Sequence, residues 1–212
     1  MLKKKNTGLY SSSNEKDSCG IGFVANIYDI PSRNIIDNAL NILCNLTHRG
    51  AVSADPKAGD GVGILTQIPH EFFQRELSNH NVILPRNEDY AVGMFFLPIN
   101  KDESKHCNNI INKYFKQFGM ETIFIRPVPT EKAVLGFSIV GNEPRILQFF
   151  VKPSKKLKTT KEFEFKLFLA RRNMEIALKS YDFYVASLSS RVLNYKGMIM
   201  SDSLKDYFTD LK

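Results

Sequence analysis

The chain has 212 residues, enough for one large domain or two small ones with a hydrophobic core. With 43% hydrophobic and 24% charged residues it has an ordinary globular composition, and no apolar run approaches the ~20 residues that span a bilayer, so no membrane partner is expected. The net charge of +7 resides largely in Lys3, Lys4 and Lys5 and in five lysines from Lys152 to Lys161; neither group is interleaved with the aromatics and arginines that nucleic-acid readout uses, so nucleic acid is not expected.

Residues 1–18 are polar and rich in lysine and serine, with no apolar stretch after the lysines, and read as an unstructured leader rather than a secretory signal. Over 19–27 the odd positions are Cys, Ile, Phe, Ala and Ile, while the even ones include Gly20 and Gly22. This period of two predicts a half-buried strand whose glycines admit another backbone or a ligand. Pro31 and Ser32 introduce a helix to about His48, with Ile35, Ile36, Ala39, Leu40, Leu43 and Leu46 on one face and Gly50 placed to end it. A loop over 51–63 holds Pro56 and three glycines. A short strand over 64–68 and a short helix to about Leu77 follow. Next come a strand over 90–99, an amphipathic helix over 104–118 closed by Gly119, and strands over 122–126 and 146–152. A long helix covers 161–179, then strands 181–188 and 192–200, then a helix beginning near Ser201. Strands and helices are mixed without regular βαβ alternation, which predicts a single α+β domain after the leader, not a doubly wound sheet.

Cys19, Cys44 and Cys107 lie far apart with no C-x-x-C pair, which leaves no zinc-ribbon or thioredoxin-type motif and suits a reducing cytoplasm. No metal ligand set is expected. Cys19 has two readings: a small buried residue opening a strand, or a nucleophile. If the chain is cut after Ser18, Cys19 acquires an α-amino group whose pKa of about 7.7–8.0 lies near the thiol's ~8.5, so one residue supplies nucleophile and base. His48, Arg49 and Gly50 read either as ordinary helix-end chemistry or as groups projecting towards the strand of Cys19. The Gly59-Asp60-Gly61-Val62-Gly63 run is neither a phosphate loop nor a dinucleotide fingerprint, and reads as a tight turn into the next strand.

Cys-Gly-Ile-Gly-Phe at 19–23 resembles the start of mature class II glutamine amidotransferases. The order of further motifs is similar to the glutamate synthase large subunit. These are Leu43-x-x-Leu46-x-His48-Arg49-Gly50-Ala51, Ala54-Asp55, Gly59 to Leu65, Gln67-Ile68-Pro69 and Phe72-Phe73, then Ser187 to Arg191 and Tyr195 to Met198. The resemblance implies an αββα fold of the N-terminal-nucleophile type, a propeptide at 1–18, and a partial amidotransferase domain over 19–212. It implies hydrolysis of L-glutamine through a thioester on Cys19, with Arg49 and Gly50 in a supporting role at the site's edge. In the full-length family protein it implies FMN, an iron–sulfur cluster, 2-oxoglutarate, and a small subunit or ferredoxin as electron source, with no cofactor in this segment. The family's Asn-Gly pair occurs nowhere in this sequence, so the 212 residues alone are expected to be inactive. The alternative is a non-catalytic module that binds an anionic partner through the run from Lys152 to Lys161.

Overall fold

The computed structural model describes residues 20–47, 54–59, 61–155, 157 and 159–212. Its elements in chain order are α1 (Arg33–Asn45), β1 (Val62–Gln67), α2 (His70–Ser78), β2 (Ala91–Leu97), α3 (Lys101–Gln117), β3 (Met120–Pro127), β4 (Arg145–Pro153), α4 (Thr160–Ala177), β5 (Tyr184–Ser189), β6 (Val192–Gly197) and α5 (Leu204–Tyr207). Short 3-10 turns cover Lys132–Val134 and Thr209–Leu211. The chain is α+β: antiparallel strands β3-β4-β2-β5 form one sheet, and β1 and β6 pair as an antiparallel ribbon.

β2 and β4 carry nearly continuous apolar runs because both of their faces are buried. On one face Ala91, Phe95, Leu97, Leu147, Phe149 and Val151 pack with Cys107, Ile111 and Phe115 of α3 and Phe163, Leu167, Ala170 and Met174 of α4. On the other, Val92, Met94, Ile146 and Phe150 meet Ile64, Leu193 and Tyr195 of the ribbon, together with Leu40 of α1 and Phe73 and Leu77 of α2. The layers therefore run from helix pair to sheet to ribbon, with α1 and α2 joining the ribbon-side core. Each fully buried Phe or Leu contributes roughly 1.5–3 kcal/mol.

The β5–β6 hairpin passes from the sheet to the ribbon, and its turn is fixed by Glu164 of α4. That carboxylate accepts the Ser189 hydroxyl at 3.1 Å, the Ser190 N–H at 2.6 Å and the Ser190 hydroxyl at 2.7 Å. A second polar node joins the layers. Arg126 of β3 donates to both carboxylate oxygens of Asp210 at 2.7 and 2.8 Å, to Gln148 of β4 at 2.9 Å and to Glu76 of α2 at 3.0 Å. Tyr195 of β6 donates to Asp210 at 2.8 Å and accepts from Gln148 at 3.1 Å. Burial pulls the Arg126 pKa down, but the bonds to Asp210 and Glu76 outweigh it and hold the guanidinium above its usual value. Burial, and then the Asp210 charge, push the Tyr195 hydroxyl well above its usual pKa.

Most expected elements are present with small shifts. Helix α3 starts three residues earlier than its apolar spacing suggests, because the Asn100 side chain caps it by accepting from the N–H groups of Asp102 and Glu103 at 2.8 and 3.2 Å. β1 begins at Val62, inside the expected loop. The strand expected over 19–27 is not there: described residues 20–27 form no strand, and Ile21 and Phe23 are 93% and 91% exposed. The alternation marks two faces correctly, but the glycine face lies on α1 side chains instead of on a neighbouring strand.

Asp210 is buried with a 3% exposed side chain, whereas Glu76 is 40% exposed. Asp210→Ala leaves Arg126 buried without its main counter-charge and is expected to lower stability by about 3–5 kcal/mol in denaturant titrations, against under ~1 kcal/mol for Glu76→Ala. Equal losses for the two variants would show that the node is not centred on Asp210.

Candidate active site

The sequence candidates Cys19, Arg49 and Gly50, with His48 and Asp60, lie outside the described residues. Their described neighbours are brought together. Gly20, one residue after Cys19, lies against Leu46, three residues before Arg49: a Cβ on Gly20 would sit 3.1 Å from the Leu46 Cδ2. Gly22 packs on the Ile42 Cγ2 so closely that no side chain fits. The backbone of 20–22 thus runs along the C-terminal half of α1. Further along, between this segment and α1, Asp29 accepts from Gln67 of β1 at 3.1 Å.

Beyond α1, Thr47 bonds the Cys44 carbonyl and the Ser201 hydroxyl, both at 2.6 Å. On the other side of 48–53, Asp55 is 3% exposed, and its carboxylate accepts the Ser138 hydroxyl at 2.6 Å, the Ser138 N–H at 2.8 Å and the Lys57 N–H at 3.1 Å. The Ser138 bonds, hydroxyl first, hold its pKa below the usual carboxylate value. Gly136 passes directly over this carboxylate with no space for a side chain.

Gly59, Gly61 and Gly63 are not a tight turn. A Cβ on Gly59 would meet the Ile199 carbonyl at 2.8 Å and one on Gly63 the Tyr195 carbonyl at 3.0 Å, while Gly61 has φ +119°. The alternating glycines are a row along which β1 and its approach lie against β6 and the segment after it. Sequence reading passed over Asp55, although Ala54-Asp55 stands in the pattern that carried the resemblance. A carboxylate next to proline reads as a turn, and its partner is 83 residues away.

Among the described residues Cys44 is exposed and Cys107 is buried, its thiol pushed up by burial and then by Glu103. One lies on α1 and the other in the core beneath α3. The described residues contain no group of three or more His, Cys, Asp or Glu side chains that could hold a metal. Of the lysines from Lys152 to Lys161, Lys152 lies near the end of β4 and pairs with Glu121 at 3.5 Å, and Lys161 belongs to α4. Among the described residues no helix is long and apolar enough to cross a membrane.

The sequence profile of the class-II glutamine amidotransferases matches residues 19–212, beginning at Cys19. The chain belongs to this family. Its relatives include glutamate synthases. The NADPH-type large chain of Bacillus subtilis (strain 168) is 37% identical over 210 residues, covering 98% of this chain and 14% of that protein. The ferredoxin-dependent glutamate synthase of Pyropia yezoensis is 38% identical over 211 residues, 97% of this chain and 14% of the relative. The NADH-type enzyme of Schizosaccharomyces pombe is 33% identical over 213 residues, 98% and 10% respectively. The chain therefore spans about one-seventh or less of these relatives, as the N-terminal amidotransferase part.

Gly22→Val clashes with Ile42 and is expected to detach the 20–22 segment, seen as faster amide exchange there, with partial recovery in Gly22→Val/Ile42→Ala; unchanged exchange in the single variant would remove the contact. Asp55 has a depressed folded pKa, so its contribution to stability is present above the unfolded value of ~3.9 and is lost as pH falls through the folded one. Stability measured against pH should fall below about pH 4 more steeply in the wild type than in Ser138→Ala, and equal slopes would contradict the assignment.

Proposed function

We propose that this chain supplies the glutaminase nucleophile of a glutamate synthase. The observation that carries the reading is the contact of Gly20 with Leu46, which sets the residue after Cys19 beside the helix leading to Arg49. Support comes also from the family match that begins at Cys19.

In this reading residues 1–18 are a propeptide whose removal frees the Cys19 α-amine. The amine takes the thiol proton, and the thiolate attacks the side-chain amide carbon of L-glutamine. The tetrahedral oxyanion collapses as the amine returns the proton to the leaving nitrogen, which departs as ammonia. Water then attacks the thioester, releasing glutamate and restoring the thiol. Arg49 and Gly50 line the edge of the site. Oxyanion donors are worth ~10²–10³ in rate, and the sequence has no Asn-Gly pair to supply them. Those donors and the clamps on the substrate's α-groups therefore lie outside residues 1–212, and the isolated polypeptide releases no glutamate.

Within a glutamate synthase the ammonia would aminate 2-oxoglutarate reductively, with FMN and an iron–sulfur cluster held by other parts of the protein. The electron source is NADPH, NADH or ferredoxin, and the setting is the cytoplasm.

The test uses the protein as its own gene expresses it. Intact mass should show a chain beginning at Cys19, and Cys19→Ser should reduce glutamate release from glutamine to background. Thiol alkylation under native conditions provides the control: Cys44 is labelled and Cys107 is spared until unfolding. Full activity in a chain still beginning at Met1, or in Cys19→Ser, would overturn the mechanism.

A further inference from the structure

Thr47 and Gly59 lie well apart in sequence, yet both rest on the short segment that follows β6. The Thr47 and Ser201 hydroxyls share a hydrogen bond at 2.6 Å, and a Cβ on Gly59 would stand 2.8 Å from the Ile199 carbonyl. The chain therefore leaves residues 199–201 after α1 and returns to them before β1. Gly20, which follows Cys19, packs on Leu46 at the point of departure.

A further tie holds this excursion, and it is a buried carboxylate. Asp55 divides its two oxygens between two turns. Its Oδ1 accepts the Lys57 N–H at 3.1 Å, within the turn that the Ala58 N–H closes on the Asp55 carbonyl at 3.0 Å. Its Oδ2 accepts the Ser138 N–H at 2.8 Å and the Ser138 hydroxyl at 2.6 Å. Ser138 stands in a second turn, closed by the Ile139 N–H on the Gly136 carbonyl at 3.0 Å. Taking a carboxylate out of water is costly unless its lone pairs are filled, and apolar packing would join two turns as firmly. What the carboxylate adds is direction, since its oxygens accept only within limited angles. It fixes where residue 55 stands, and Gly50 lies five residues before it.

Slack alone does not account for such a tie. With Asp55 held, seven residues separate it from Thr47; with Asp55 released, eleven separate Thr47 from Gly59. Closing the longer loop is only about two-fold less favourable, because closure entropy grows with the logarithm of length. A misplacement of about 1 Å near a reacting centre costs as much as ~10²-fold. Position is the larger effect.

We propose that Asp55 and Ser138 are positioning residues of the glutaminase site, fixing the chain after Arg49 and Gly50 as Thr47 and Ser201 fix it before them. The proposal rests on the glutaminase reading above. Asp55 touches neither substrate nor thiol in this role; it sets the edge against which glutamine binds, so its loss weakens substrate binding and leaves the nucleophile intact.

The test uses the full-length protein as its own gene expresses it and measures glutamate release against L-glutamine concentration. Asp55→Asn keeps the size but puts an amide NH2 where an accepting oxygen stands. It should raise KM at least about five-fold, with kcat within about two-fold of wild type and the iodoacetamide labelling rate of Cys19 unchanged. Ser138→Ala, which keeps the backbone N–H, should raise KM at least about three-fold, and Ser138→Thr, which keeps the hydroxyl, should stay within about two-fold of wild type. Thr122→Val is the control: it breaks the 2.7 Å hydroxyl bond to Asn112 between β3 and α3, and should cost stability without moving KM. Where Asp55→Asn does not accumulate as folded protein, the contrast between Ser138→Ala and Ser138→Thr decides. An equal rise of KM in Thr122→Val, or a parallel loss of kcat and of Cys19 labelling, overturns the proposal. A wild-type KM in the Asp55 and Ser138 variants, with release still dependent on Cys19, overturns this inference alone. Release that survives Cys19→Ser overturns the glutaminase reading on which it rests.

Discussion

A guanidinium buried where two apolar cores meet cannot be left without counter-charge, and the way Arg126 is satisfied organises the molecule. Its partners come from α2, β4 and the turn at Thr209–Leu211, and Asp210 passes the interaction on to Tyr195 in the ribbon. Apolar packing alone would let the ribbon slide over the sheet, since hydrophobic attraction has no direction. Hydrogen bonds do have direction, and a bidentate Arg–carboxylate pair accepts only a narrow range of geometries. The node therefore fixes the position of β6 over β4, and through it that of β1, whose approach carries the glycine row. Seen this way, the polar centre contributes alignment where the two cores contribute cohesion.

Much of the fold was legible because its signals are local. The strand expected over 90–99 is present as Ala91–Leu97, and its nearly unbroken apolar run is buried on both faces. The apolar faces of α1, α3 and α4 place those helices within a turn or so of their observed ends. What was not legible is carried by partners distant in sequence. Arg126 in an apolar strand looks like an exposed edge residue until Asp210, 84 residues on, is placed beside it. The two-residue period over 19–27 correctly separates a glycine face from an apolar face. It cannot say that the glycine face rests on a helix, because alternation reports sidedness and not the identity of the neighbour.

The candidate site divides in the same way. Cys19, Arg49 and Gly50 stand out through the resemblance, since a thiol at the head of a glycine-rich segment and an Arg-Gly after a helix form a recognisable order. The residues that brace their surroundings do not stand out. Asp55, Ser138, Thr47 and Ser201 are short polar side chains in loops, the commonest company for such residues, and only their pairings distinguish them. The glycines at 59, 61 and 63 were visible as a group but misread as a turn. Their spacing of two is that of a strand edge facing another backbone, and the turn reading overlooked it.

The ribbon also has a history in time. β1 pairs Val62 with Gly197 and Gln67 with Val192, so its partner lies about 130 residues further along the chain. At ~5–20 residues per second of synthesis, β1 waits roughly 6–26 s on the ribosome before β6 exists. During that interval Ile64 and the unpaired edge of β1 have no β6 to cover them, while β2, β4 and α3, all made earlier than β6, can already assemble. The glycine-rich, weakly apolar lead-in to β1 suits such a delay, because a segment with few large side chains is a poor template for the wrong neighbour. Nascent-chain handling, and not only the finished fold, is thus written into the separation of these two strands.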